Sequence, residues 1–150
     1  MKVVIQRVSS ASVTIEGTKT AEIQNGLLIL AGFVEDDTNE DIDWMVSKVL
    51  NLRIFGDENG IMNLSVKETN GEIIIISQFT LHAMTKKGNR PSYIKAAKPD
   101  SAIPLYEKFL AKTQSESGKK IQAGKFGADM KVSLLNDGPV TIIIDSKNKE

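Results

Sequence analysis

Apolar residues run and alternate through Lys2-Val3-Val4-Ile5-Gln6-Arg7-Val8, which predicts a first strand. Ser12-Val13-Thr14-Ile15-Glu16 alternates cleanly, with Val13 and Ile15 on one face, and predicts a second. Gly17-Thr18-Lys19 reads as a turn into a third strand at 20–24, and Asn25-Gly26 carries the signal of a hairpin. The run Leu27 to Val34 is almost wholly apolar, as in a strand buried on both faces. A helix then starts near Thr38. Thr38 and Asp41 have capping-box spacing, acids crowd the first turn, and Ile42, Met45, Val46, Val49 and Leu50 recur on one helical face.

Leu52 to Phe55 predicts a short strand, Gly56 to Gly60 a loop, Asn70-Gly71 a turn, and Ile73 to Leu81 a long strand. A second helix is expected over residues 101–115, where Ala102, Leu105, Tyr106, Phe109 and Leu110 share a face and Pro104 falls in the first turn. Met130 to Leu135 and Val140 to Asp145 read as the last two strands, separated by Asn136-Asp137-Gly138-Pro139. The sum is an α+β fold: a mixed, largely antiparallel sheet curled into a barrel-like layer, with two helices. The 150 residues are expected to form a single domain, 1–150, which at this length buries roughly 70% of its unfolded surface.

Composition narrows the chemistry. There is no cysteine, which excludes disulfides, thiolate metal sites and a cysteine nucleophile, and one histidine, His82, which excludes a multi-histidine zinc site within the chain. No metal and no cofactor is expected, and no glycine-rich phosphate loop is present. No apolar run approaches the roughly 20 residues of a membrane helix, and the N-terminus is too short and polar for a signal-peptide core, so a cytoplasmic protein is expected. The formal net charge of 0 conceals a gap: no acidic residue lies between Glu72 and Asp100, a stretch that holds Lys86, Lys87, Arg90, Lys95 and Lys98. Such a local positive field suits a phosphate backbone, although a solvated lysine-rich surface has the same composition.

Four places could carry chemistry, His82 among them as the candidate for acid–base work. Ser77-Gln78-Phe79-Thr80-Leu81 turns polar directly after four isoleucines; alternation would put Gln78 and Thr80 on one face of a strand and Ser77 and Phe79 on the other. Such a segment is either a strand leaving the core or a set of polar groups placed for use. Asn136-Asp137-Gly138-Pro139-Val140-Thr141 is turn chemistry, and spacing does not establish a cis Gly-Pro bond. Arg7, one of three arginines, sits within an apolar strand, where a guanidinium is pinned by carbonyls or a carboxylate unless it faces solvent at an edge. His82 follows the polar segment but has no candidate orienting acid nearby in sequence.

Taken together, these segments closely resemble the bacterial D-aminoacyl-tRNA deacylases over essentially the whole chain. The likeness is carried by Met1 to Val8, Ala11 to Thr14, Ser77-Gln78-Phe79-Thr80-Leu81, Arg90-Pro91-Ser92, Gly124 to Met130 and Asn136-Asp137-Gly138-Pro139-Val140-Thr141, with no departure at a motif position. The resemblance implies a homodimeric esterase acting on the bond between a D-amino acid, or glycine, and the 3′-terminal adenosine of tRNA. It implies a pocket lined by Ser77, Gln78, Phe79 and Thr80, and a Gly-cisPro filter at Gly138 and Pro139 that enters the partner subunit's site. It further implies that Arg7 steadies that filter, and it makes aminoacyl-tRNA, not DNA or membrane, the partner. Lys86, Lys87 and Arg90 are then candidates for RNA contact. A non-catalytic dimeric RNA-binding module is the alternative that the basic segment alone would satisfy.

Overall fold

A computed structural model describes all 150 residues. The first strand, β1 (Lys2–Ile15), runs unbroken where the pattern predicts two strands. β2 (Thr18–Ile23) follows a turn in which Glu16 and Gly17 have φ of 49° and 77°, the twist that suits a two-residue hairpin. Asn25-Gly26 does not form the expected hairpin. β2 and β3 (Gly26–Gly32) run in one direction along a single edge of β1, with Ala11 opposite Ile23 and Val8 opposite Gly26. Glycine serves a close approach there instead: a Cβ on Gly26 would lie 1.8 Å from the carbonyl oxygen of Glu72.

The helices bracket the middle of the chain. Thr38 caps α1 (Asn39–Asn51) in a reciprocal capping box with Asp41, as its spacing predicts. α2 (Pro99–Ser117) starts two residues before the expected boundary, so Pro104 lies beyond the first turn. Proline removes the N–H that would bond the Asp100 carbonyl; both residues are exposed, so water can take its place. The predicted strand at 52–55 shrinks to β4 (Phe55–Gly56), paired with β5 (Met62–Leu64) in a separate ribbon. β6 (Glu72–Ser77) and β7 (Gln122–Ala123) are parallel to β3 and to β6 respectively, and β8 (Lys131–Asp145) lies antiparallel along the other edge of β1. The main sheet thus has the order β2-β1-β3-β6-β7, with β8 branching from β1. It is the mixed, barrel-like α+β layer that the sequence predicts.

Alternation divides the core between the sheet's two faces. Met1, Val3, Ile5, Leu27, Ile29, Ile73 and Ile75 pack with α1 and α2, while Leu28, Ile74 and Ile76 face the inside of the curl with Val8, Ala11, Val13 and Ile23. The register slips by one residue between Val8 and Ser10, two β1 steps against one of β8. This bulge explains how even-numbered Val8 and odd-numbered Ala11 and Val13 share a face. The α-ammonium of Met1 is fully buried, bonded to the Asp37 carboxylate and to Ser146 Oγ at 2.8 Å. Lys147 adds a bond to Asp41 at 2.9 Å. Burial alone would raise the Asp41 pKa, but hydrogen bonds from Lys147, Ser146 and Thr38 outweigh it and hold the carboxyl well below the usual range.

Candidate active site

Strand β6 does not continue to Leu81. It ends at Ser77, and Phe79–His82 form a 3₁₀ turn, so the expected alternation of Ser77, Gln78, Phe79 and Thr80 between two faces does not hold. The cause lies in the neighbouring strand. β3 ends at Gly32, the last ladder bond runs from Gln78 N–H to the Ala31 carbonyl at 2.8 Å, and the chain then folds over Gly32. A Cβ on Gly32 would lie 2.8 Å from the Gln78 carbonyl oxygen and 3.2 Å from Leu81 Cβ, so only glycine accommodates the turn. Behind it, Tyr106 donates its hydroxyl to the Ile75 carbonyl at 2.9 Å, and burial pushes that phenol pKa up to about 12.

The turn gathers the polar groups. Gln78 Nε2 donates to Thr80 Oγ1 at 2.5 Å. A hydroxyl that accepts from an amide keeps its own proton free to donate outward, and an amide N–H cannot act as a base toward it. The first backbone bond of the turn runs from Leu81 N–H to the Gln78 carbonyl, which leaves the Phe79 and Thr80 N–H groups as its opening donors. His82 does not complete a catalytic pair. Its Nε2 is buried without a partner, burial depresses its pKa, and no carboxylate bonds it. No cluster of three His, Asp or Glu side chains is placed to hold a metal ion.

Gly138 and Pro139 occupy a second feature, hidden by the continuity of β8. Gln6 pairs with Thr141 and Val8 with Asn136, so Asp137 to Val140 are extruded opposite the single residue Arg7. The Gly138–Pro139 bond is cis, and Gly138 has φ of 134°. Arg7 Nε donates to the Asp137 carbonyl at 2.9 Å and a second guanidinium nitrogen to the Ile54 carbonyl at 2.6 Å. The Asp137 carboxylate stands 3.7 Å from Arg7 Nε. A Cβ on Gly138 would meet the remaining Arg7 nitrogen and Val140 Cγ2, each at 2.9 Å. Ile54, whose carbonyl takes the second bond, was not singled out in the sequence; it carries no polar side chain that would have marked it.

Within one chain these two features stand apart. Arg7 shares a row with Leu27 and Ile73, whereas Ser77 pairs with Ala31, which pairs with Val3. Four residues at ~3.3 Å separate the rows by about 13 Å along the strands, and up to three strand spacings of ~4.8 Å separate β8 from β6. The third predicted group, Lys86, Lys87 and Arg90, lies on an arm whose root is tied by reciprocal Met84 and Ser92 backbone bonds of 2.8 and 3.0 Å. All three are exposed, and none lies within ion-pair distance of a carboxylate, unlike Lys19, Lys112, Lys131 and Lys147.

Comparison with known proteins gives this geometry a family. The model described as D-Tyr-tRNA(Tyr) deacylase matches residues 4–145. Proteins named D-aminoacyl-tRNA deacylase are 68% identical in Flavobacterium johnsoniae and 65% identical in Bacteroides fragilis, each over 150 residues covering both chains completely. A solved structure titled c-Myc DNA Unwinding Element Binding Protein superposes with a TM-score of 0.91 at 41% identity, over 97% of this chain and 98% of that one. A probable eukaryotic D-amino acid tRNA deacylase shares the fold, with a TM-score of 0.84 at 17% identity over 95% of this chain and 97% of that one. The chain belongs to the D-Tyr-tRNA(Tyr) deacylase family.

Proposed function

We propose that this protein is an editing hydrolase that cleaves the ester of D-aminoacyl-tRNA, and of glycyl-tRNA mischarged on tRNA(Ala), at two sites of a cytoplasmic homodimer. The observation that carries the proposal is that one chain holds both an Arg7-clamped Gly138–Pro139 unit and a Thr80 turn, set about 13 Å apart along the strands. A second copy supplies what one chain lacks: isologous pairing makes two equivalent sites, each joining one subunit's Gly138–Pro139 to the partner's Thr80 turn. The long outer edge of β8 supports such pairing. It presents Leu135 at 60% and Ile143 at 67% exposure beside unpaired backbone groups, a surface that isolated proteins ordinarily cover.

In this reading Ser77, Gln78, Phe79 and Thr80 line the scissile ester. The Thr80 hydroxyl and the main-chain N–H groups at Phe79 and Thr80 stabilise the oxyanion as water adds to the carbonyl. The 2′-hydroxyl of the terminal ribose assists that water. The C–O bond to the ribose 3′-oxygen then breaks, the oxygen takes up a proton, and the free amino acid leaves. The Gly138 and Pro139 carbonyls accept the substrate ammonium, so a D side chain points out and an L side chain meets fixed main-chain atoms. Glycine, with no side chain, passes the filter. The unpaired cations Lys86, Lys87 and Arg90 face the RNA phosphates.

The nucleic-acid title of the structural neighbour at 41% identity favours a second reading, a binding module without catalysis. Incubation of the purified chain with D- and L-aminoacyl-tRNA separates the two, with sedimentation run alongside. Release of the D-amino acid by a dimer, with the L-ester spared, is expected. Tight binding of tRNA or DNA with no release would refute the hydrolase.

A further inference from the structure

One exposed feature near Thr80 extends beyond the chemistry above, through Tyr93 and Ile94, which take no part in it. Phe79, 54% exposed, meets the half-exposed ring of Tyr93 edge-to-face, with centroids 5.1 Å apart and planes at 79°. Tyr93 follows directly on Ser92, the residue that closes the basic arm, so the pair sits at the arm's root. The neighbouring Ile94 is 84% exposed. Leaving two aromatic rings and an isoleucine in water is unfavourable unless something covers them. Around them the chain from 73 to 99 has no acidic residue, and Lys86, Lys87, Arg90 and Lys95 are exposed without carboxylate partners. Aromatic faces beside an unneutralised cationic arm match single-stranded nucleic acid, whose bases stack on rings while its phosphates meet lysine and arginine.

We propose that the Phe79–Tyr93 pair and the arm rooted at Met84 and Ser92 form a track for the unpaired nucleotides preceding the esterified adenosine, one base stacking on Tyr93. This rests on the hydrolase reading and assigns Tyr93 a binding role that the two motifs do not contain. Phe79 then links the two functions: its backbone belongs to the turn that faces the ester, and its ring buttresses Tyr93. The track also sets a minimum substrate, since an ester of adenosine alone reaches the Thr80 turn but cannot stack on Tyr93.

The test compares Tyr93→Ala, Tyr93→Trp and wild type on full-length D-aminoacyl-tRNA and on 3′-D-aminoacyl-adenosine. Removing one stacking partner should raise KM for the charged tRNA about 5- to 150-fold. The loss in kcat/KM should be at least about fivefold larger on tRNA than on the nucleoside ester, and Tyr93→Trp should recover most of it. Equal losses on both substrates, or no change in KM, would overturn the track. Dissociation of the dimer by Tyr93→Ala in sedimentation would also overturn it, because the rings would then be a subunit contact. Wild-type protein that cleaves neither ester would instead count against the hydrolase. In that case binding of an uncharged single-stranded RNA oligonucleotide, weakened by Tyr93→Ala and restored by Tyr93→Trp, would still uphold the track.

Discussion

Replacing Arg7 by alanine isolates the clamp on the extruded loop. The side chain is only 14% exposed and donates to two carbonyls, at 2.9 Å on Asp137 and 2.6 Å on Ile54. Hydrogen bonds from a charged donor are worth about 1.5–3 kcal/mol each. The two carbonyls fare differently once the donor is gone. Asp137 is exposed, so water can replace the lost bond, and its 3.7 Å ion pair adds little for the same reason. Ile54 is buried, so an orphaned carbonyl there costs about 1–3 kcal/mol. A net loss of about 2–4 kcal/mol follows, which for a chain of this size lowers Tm by roughly 5–15 °C. The loop opposite Arg7 should relax with it. The assay is thermal unfolding together with the ratio of D- to L-aminoacyl-tRNA hydrolysis by the folded variant. A fall in that ratio, through slower D-ester cleavage and newly detectable L-ester cleavage, is expected. Arg7→Lys should only partly restore it, since an ammonium lacks the fork that spans two carbonyls. A destabilised variant with an unchanged ratio would show that Arg7 supports the fold but not the filter.

Four further outcomes can be checked. Thr80→Ala should lower kcat by roughly 10- to 1,000-fold, reaching the roughly 100- to 1,000-fold typical of a lost oxyanion donor; a covalent threonyl ester trapped from wild type would make Thr80 the nucleophile instead. Replacing Lys86, Lys87 and Arg90 together should weaken tRNA binding and flatten its dependence on salt concentration, with the D-over-L ratio little changed, because fewer counterions are displaced; an unchanged salt slope would place the arm away from the RNA. Gly138→Ala should impair hydrolysis more than its small size suggests, because the added Cβ meets Arg7 and Val140 at 2.9 Å and the φ of 134° disfavours any side chain; full activity with unaltered stability would contradict the packing described. His82 should make the fold sensitive to mild acid. Burial depresses its folded pKa below the unfolded value of about 6.5, so its contribution is complete above that pH and is lost as pH falls toward the folded pKa. Tm should therefore drop less between pH 7 and pH 5.5 in His82→Gln than in wild type, and parallel curves would refute the assignment.

The elements that depend on nearest neighbours were legible in the sequence. Thr38 and Asp41 announce their helix because capping is settled within four residues, and Leu27 to Leu30 and Ile73 to Ile76 announce buried strands because their apolar runs have no other use. The motif residues stood out as candidates only through resemblance, since composition left Ser77 to Thr80 and Gly138-Pro139 each with an ordinary structural explanation. What failed were places where one segment's conformation is set by another far along the chain. Asn25-Gly26 looks like a turn, yet β1 offers an edge long enough for β2 and β3 in succession, and Gly26 answers to the backbone of Glu72. Strand β6 stops at Ser77 because β3 ends at Gly32 and leaves it no ladder to follow. Pairing β8 along the whole of β1 turned two predicted strands into one and pushed Asp137 to Val140 out against Arg7. Local pattern thus determined which segments could be helix or strand, while hydrogen-bond register between distant strands decided where the candidate site residues stand, because a backbone donor satisfied across the sheet overrides a turn preference worth far less.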